Sequence, residues 1–188
     1  QYSKLIMRVL ESDRIVLKPI EEEDLPLLLE LRWDETLTDY LIHNPISMVH
    51  QKKWFEKVYK NGDLALSIFY KENEQLRHIG LIGLYDFNQR HRRATWKSLR
   101  IIPEYQGKGI AMEASLMLLD YGFNTLNLHK ITSDSFEENS SILKLLEKLG
   151  FKREGVLIEH YFHQGKYKNA VIHSVLREEF NEKFKCNK

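Results

Sequence analysis

Ile101-Ile102-Pro103-Glu104-Tyr105-Gln106-Gly107-Lys108-Gly109-Ile110-Ala111 reads as the end of a strand, a break at Pro103 and the opening of a helix on two glycines. The first turn of a helix offers unpaired N–H groups and the positive end of the helix dipole. A pyrophosphate can lie on those donors only where no side chain blocks it, and Gly107, Gly109 and the small Ala111 remove that obstruction. Lys108 adds a positive charge. The dipole itself is worth only about 0.3–1 kcal/mol per charge, so convergence of several N–H donors carries more. Taken alone, the pattern is more often that of an ordinary glycine-containing strand–helix turn. It is neither a P-loop, since no Gly-Lys-Ser/Thr closes it, nor a dinucleotide fingerprint, since the third glycine is missing.

The segments around this turn alternate in type. Arg14–Ile20 reads as a strand. Asp24 reads as a helix N-cap with Pro26 in the first turn, and the helix runs to Trp33. Ser47 caps a second helix, which carries Trp54, Phe55 and Val58 and ends at Asn61–Gly62. Leu64–Tyr70 and His78–Tyr85 are strands across a polar turn, and Arg93–Ile102 is a third, stopped by Pro103. Gly109–Phe123 is helical, Lys130–Ser135 a short strand, and Ser141–Leu149 a helix expected to bury Ile142, Leu145 and Leu149. Val156–Phe162 and Lys168–Arg177 pair across Gln164–Gly165–Lys166. The order β-α-α-β-β-β-α-β-α-β-β predicts a mixed α/β (α+β) domain rather than a doubly wound one.

A chain of 188 residues suits one domain. The expected division is an N-terminal extension at 1–12, a domain over 13–180 and a polar tail at 181–188. A net charge of +1 lacks the basic excess of a nucleic-acid binder, despite Arg90, Arg92 and Arg93. A mean hydropathy of −0.45 and no long apolar run argue against a membrane protein. The single cysteine, Cys186, forms no internal disulfide, which suits a reducing cytoplasm. No His/Cys/Glu cluster has metal-ligand spacing, so no metal is expected.

Gln106-x-x-Gly109-x-Ala111 resembles motif A of the GNAT acetyltransferase superfamily. The likeness extends to His91–Ala94, Asp120–Phe123, Leu126–Leu128, Glu138–Asn139, Lys148–Phe151, Glu154–Gly155 and Gly165–Ala170. It is strongest to bacterial spermidine N-acetyltransferases and next to ribosomal-protein N-terminal acetyltransferases. The resemblance implies the GNAT fold, a central mixed, mostly antiparallel sheet of about seven strands flanked by about four helices. It implies acetyl-CoA as co-substrate and direct attack of a primary amine on the thioester. The implied coenzyme contacts are the backbone of Leu99, Arg100 and Ile101, motif A at Gln106, Gly107, Lys108, Gly109, Ile110 and Ala111, and Asn139 and Lys148. Asn139 is equally a helix N-cap. A homo-oligomer is also implied.

Three positions depart from the spermidine enzymes. A tyrosine thought to protonate the departing thiolate is replaced by Leu146, an acid on the strand before motif A by Thr95, and an acidic pair before a proline by His43–Asn44. A thiol of pKa about 8.5 is a tolerable leaving group at pH 7 without that tyrosine. Deprotonating a polyamine nitrogen at pH 7 costs about 4–5 kcal/mol, against about 1 kcal/mol for an α-amine. Whole-chain likeness therefore points to a polyamine such as spermidine, and the substitutions to a peptide N-terminus or an amino sugar. Asp134 is the candidate general base, with a solvated strand end as its other reading. Glu35, Asp39, Tyr40 and Thr95 are candidate acceptor contacts, and Trp33 and Trp54 candidate walls, Trp54 being equally a core residue. An acetyl-CoA sensor without turnover and an assembly protein are the rival classes.

Overall fold

The computed structural model describes residues 10–34 and 46–184. Eight strands form one sheet: β1 (Leu10–Glu11), β2 (Ile15–Pro19), β3 (Leu64–Glu72), β4 (Gln75–Asn88), β5 (Arg93–Ile101), β6 (Lys130–Phe136), β7 (Lys152–His163) and β8 (Lys166–Leu176). Their spatial order is β1-β2-β3-β4-β5-β6-β8-β7. Every neighbouring pair is antiparallel except β5 and β6. Five α-helices accompany them among the described residues: α1 (Leu25–Trp33), α2 (Met48–Asn61), α3 (Ile110–Asp120), α4 (Ser140–Lys148) and α5 (Arg177–Phe184). The mixed α/β architecture is the expected one, with one strand and one helix more than the approximate count. The additional elements are β1, inside the segment read as an extension, and α5, which crosses residue 180 and buries Phe180.

Two apolar layers sandwich the sheet. One face packs α3 and Leu146, Leu149 and Phe180 against Ile15, Ile68, Ile82, Trp96 and Ile131. The other packs Leu25, Leu28 and Leu31 of α1 and Val58 of α2 against Ala65, Leu81 and Tyr85. Strand β4 is buried continuously from Ile79 to Tyr85 because both layers use it. Its turn from β3 is Asn73–Glu74, both at positive φ, the geometry of a two-residue hairpin.

Local signals and contacts agree in most places. Ser47 and His50 form a capping box at α2, and Gly62 at φ 70° ends it. Asp24 departs from its expected role. Its carboxylate turns back to accept the Glu21 N–H at 3.0 Å and the Ser67 hydroxyl at 2.7 Å, and makes no cap bond to α1. Helix α4 also differs in rotation: Leu146 is its buried residue, Leu149 just past its end is buried as expected, and Ile142 and Leu145 are only partly buried.

Candidate active site: a cleft where two parallel strands part

Strands β5 and β6 pair only at Arg93↔Lys130, Ala94↔Ile131 and Thr95↔Thr132. Beyond that point β5 continues to Ile101 and β6 to Phe136 without meeting. A bulge levers β5 away. Its register with β4 slips between Leu81 and Gly83, opposite Ser98, which sits at φ 69°. Gly80 lets the turn of the strand happen, since a Cβ there would lie 2.1 Å from the Arg100 carbonyl oxygen. The parting leaves a cleft of about 710 Å³ and exposes β5 backbone groups that no strand satisfies.

Motif A closes one end of this cleft. Gly107 and Gly109 have φ of 70° and 78°, where L side chains are strained. Added Cβ atoms would meet nothing within 4 Å at Gly107 and only Arg14 Nη2 at 3.7 Å at Gly109, so the space before the N-terminus of α3 is open. Arg14 holds the turn from outside. It donates to the Lys108 carbonyl at 2.9 Å and, through Nε, to Glu113 Oε2 at 2.8 Å. Gln106 Nε2 donates to the Ile101 carbonyl at 2.8 Å, tying the turn to the strand end.

Most of the expected coenzyme residues converge here. Leu99, Arg100, Ile101, Gln106, Gly107, Gly109, Ile110, Ala111 and Asn139 all line the cleft, as does Asp134. Asn139 caps α4, accepting the Ile142 N–H at 3.3 Å, and lines the cleft as well, so its two readings coexist. Lys108 is exposed, with its ammonium 4.8 Å from the Tyr105 ring centre. Lys148 is exposed in the last turn of α4 and does not line the cleft. Thr95 lies where β5 and β6 still pair, its hydroxyl 3.3 Å from that of Thr132, outside the cleft lining. Glu35, Asp39, Tyr40 and the His43–Asn44 pair fall outside the described residues. Trp33 is exposed and donates to the Ile46 carbonyl at 3.0 Å, while Trp54 packs in the second core layer.

The sequence reading missed Tyr161. Its hydroxyl donates to Asp134 Oδ2, and its ring stacks on Phe136 at 4.5 Å and 29°. Both Tyr161 and Phe136 line the cleft. Burial, reinforced by the Asp134 carboxylate, pushes the phenol well above its ordinary pKa. Strand β7 carries two extra residues between Leu157 and Tyr161, with Glu159 at φ 50°, and simple alternation does not show where that excess puts Tyr161. The other titratable side chains of the cleft are engaged or lack a removable proton. Lys97 pairs with Asp86 at 2.7 Å, the Tyr105 hydroxyl donates to Glu72 at 2.9 Å, and Arg100 is a guanidinium. Leu146 is fully buried in the core, so the position where the resemblance implies a tyrosine holds a packing residue.

Among the described residues no group of three or more His, Cys, Asp and Glu stands close enough to hold a metal ion. Nor is any of their helices long and apolar enough to cross a membrane. A family model for the acetyltransferase (GNAT) domain matches residues 14–152. The chain belongs to the GNAT acetyltransferases. This acetyltransferase is 31% identical over 167 residues to the spermidine N(1)-acetyltransferase of Escherichia coli K12, covering 88% of each chain. It is 32% identical over 171 residues to that of Vibrio cholerae, covering 90% of this chain and 96% of the relative. The structure of spermidine N-acetyltransferase from Vibrio cholerae in complex with CoA and spermine superposes with a TM-score of 0.81 at 30% identity, covering 90% of this chain and 99% of that one. The protein transfers the acetyl group of acetyl-CoA to an amine. The residues present fit the coenzyme: open glycines at a helix N-terminus suit phosphates, and unsatisfied β5 backbone suits an amide-bearing arm.

Proposed function

We propose that the acceptor is a polyamine of the spermidine type and that Asp134 is the base of the transfer. The observation that carries this is the Asp134–Tyr161 pair on the cleft wall, in a chain whose relatives are spermidine acetyltransferases. An exposed carboxylate attracts the ammonium, takes its first proton and passes it to solvent before the attack. As the N–C bond forms and the C–S bond breaks, the amine proton passes to Asp134. The Tyr161 O–H proton passes to the thiolate, and Asp134 reprotonates the phenolate. The net transfer runs from the amine to the coenzyme sulfur, which compensates for Leu146. Leu99, Arg100 and Ile101 offer backbone to the coenzyme arm, motif A receives its phosphates, and Lys108 and Lys148 supply outer charge.

A second reading has a specific observation behind it. Arg32 and Arg100 bring positive charge to the face of the sheet beside the cleft, which suits an α-amine that carries a carboxylate better than a polycation. A thiol-release assay with spermidine, a tripeptide and glucosamine separates the readings. Spermidine should have the highest kcat/KM, and a tripeptide preferred about tenfold or more would replace the polyamine reading. A cytoplasmic, homo-oligomeric enzyme belongs to the same proposal. Exposed Ile158, Phe162 and Tyr167 on β7 and β8 offer apolar surface for a second copy, and sedimentation would read the assembly.

A further inference from the structure

Lys108 lies between Gly107 at φ 70° and Gly109 at φ 78°, and its peptide link to Gly109 is easy to turn over. Half a turn of the Lys108–Gly109 peptide exchanges the places of the Lys108 carbonyl and the Gly109 N–H. It carries Gly109 to negative φ, which glycine adopts about as readily as positive φ. The two orientations differ in what they present to an anion before the N-terminus of α3. One offers the Gly109 N–H, and the other a carbonyl oxygen that repels the anion.

Arg14, just before β2, selects between them. Its Nη1 donates to the Lys108 carbonyl at 2.9 Å. In a trans peptide the C=O and N–H point in opposite directions, so this bond turns the Gly109 N–H away from Arg14. Gly109 lines the cleft and Arg14 does not. Among the described residues no acceptor meets the Gly109 N–H, which leaves that donor for a ligand.

Arg14 is itself held. Its own carbonyl accepts the Lys71 N–H at 2.8 Å, fixing its backbone to β3. Its Nε donates to Glu113 Oε2 at 2.8 Å, and its Nη2 donates to the same oxygen. Glu113 Oε1 accepts the Ser12 hydroxyl at 2.6 Å, and the Glu113 N–H donates to the Gly109 carbonyl at 3.1 Å. Glu113 therefore grips both Arg14 and the far side of Gly109. The pairing also neutralises a carboxylate in the first turn of α3, where it would oppose a phosphate. The two side chains are 43% and 22% exposed, so the ion pair adds little to the stability of the domain. Its effect is local, on the orientation of one peptide.

We propose that Arg14 is a positioning residue for the acetyl transfer: it holds the Lys108–Gly109 peptide with its N–H facing the cleft, and Glu113 holds Arg14 in place. This rests on the reading that motif A receives the coenzyme's phosphates. Arg14 acts through the peptide and not on the reacting atoms. Without it the turned-over peptide competes, and the apparent affinity for the coenzyme falls to the fraction of molecules that keep the N–H inward.

The test measures CoA binding to the full chain by calorimetry. Arg14→Met should weaken CoA about tenfold, equivalent to about 1.4 kcal/mol and within the reach of one charge-assisted hydrogen bond. Its melting temperature without ligand should stay within about 3 °C of wild type. Pantetheine, the coenzyme arm without the phosphates, should bind both proteins equally when measured by displacement of CoA. A residue that merely props the fold would weaken the two ligands together. Gly109→Ala supplies a second arm, because alanine disfavours the positive φ of the N–H-inward state. Alone it should weaken CoA about tenfold, and Arg14→Met should add less than about twofold to it, since the same peptide is already turned. Glu113→Gln keeps the shape of the side chain without its charge. It should weaken CoA about threefold and spare pantetheine, and it carries the same contrast if Arg14→Met does not fold.

Equal weakening of CoA and pantetheine overturns the positioning role, as do fully additive losses in the Arg14→Met, Gly109→Ala double variant. CoA affinity unchanged in Arg14→Met but lost in Gly109→Ala also overturns it, and leaves the phosphate reading of motif A standing. CoA affinity unchanged in both variants overturns that reading as well. CoA affinity unchanged in Glu113→Gln overturns the part given to Glu113.

Discussion

The Tyr161 hydroxyl donates its hydrogen bond to Asp134, joining β7 to β6 across the wall of the cleft where β5 and β6 part. This bond makes the two side chains one unit. Asp134→Asn and Tyr161→Phe should each lower kcat by about 10²-fold, the low end of general acid–base contributions. The double variant should lose little more than either single one. Fully additive losses would mean that the residues act separately, and an unchanged kcat for Asp134→Asn between pH 6 and 9 would remove the base.

Gly109 stands at φ 78° with open space before it. Gly109→Val should cost about 1–2 kcal/mol of stability from the left-handed backbone. It should also raise KM for acetyl-CoA by about tenfold or more, because the side chain enters the phosphate approach. KM for the amine should stay within twofold. Initial-rate kinetics varying each substrate in turn read the asymmetry.

Leu146→Tyr introduces the residue type that the resemblance implies but places a hydroxyl in a fully buried site. The expected result is destabilisation of about 1–3 kcal/mol from overpacking, without a gain in kcat. A variant as stable as wild type and several-fold faster would show that α4 rotates its tyrosine into the cleft.

Burial lowers the pKa of His78 against the partial opposition of Asp24, and burial lowers that of His173 with Arg153 nearby. Both folded-state values lie below the unfolded value of about 6.5. The unfolded chain therefore binds more protons as pH falls through that value, and stability present above about pH 6.5 is lost below it. Urea midpoints should decline from pH 7.5 to 5.5. A His78→Gln, His173→Gln double variant should show a flatter decline, whatever its stability at pH 7.5.

The legible parts of the molecule are those written in local chemistry. Ser47, Gly62 and the Asn73–Glu74 turn mark their element ends, and Gly107 and Gly109 sit where only glycine is at ease. The cleft lining proposed for the coenzyme is legible because its residues are nearly contiguous in the chain. The lining proposed for the acceptor is not, because it is assembled over long sequence distances. Tyr161 reaches Asp134 from β7, which is not a neighbour of β6 in the sheet, and Arg14 reaches Glu113 across the domain. Tyr161 depends on an irregular strand. Leu146 was misplaced for a smaller reason: Ile142, Leu145 and Leu149 share helical spacing, but the face turned to the core is offset by one residue, and spacing alone does not set that offset.

Only three residue pairs join β5 to β6, and every other link in the sheet is longer except that of the short β1. The domain is in effect two half-sheets with an unfinished seam. A coenzyme arm lying against Leu99–Ile101 would complete it as a ninth strand made of something other than polypeptide. The amide hydrogens of β5 from Trp96 onward that face the seam, rather than β4, should then exchange slowly only when that seam is closed, so that the ligand is part of the fold it occupies.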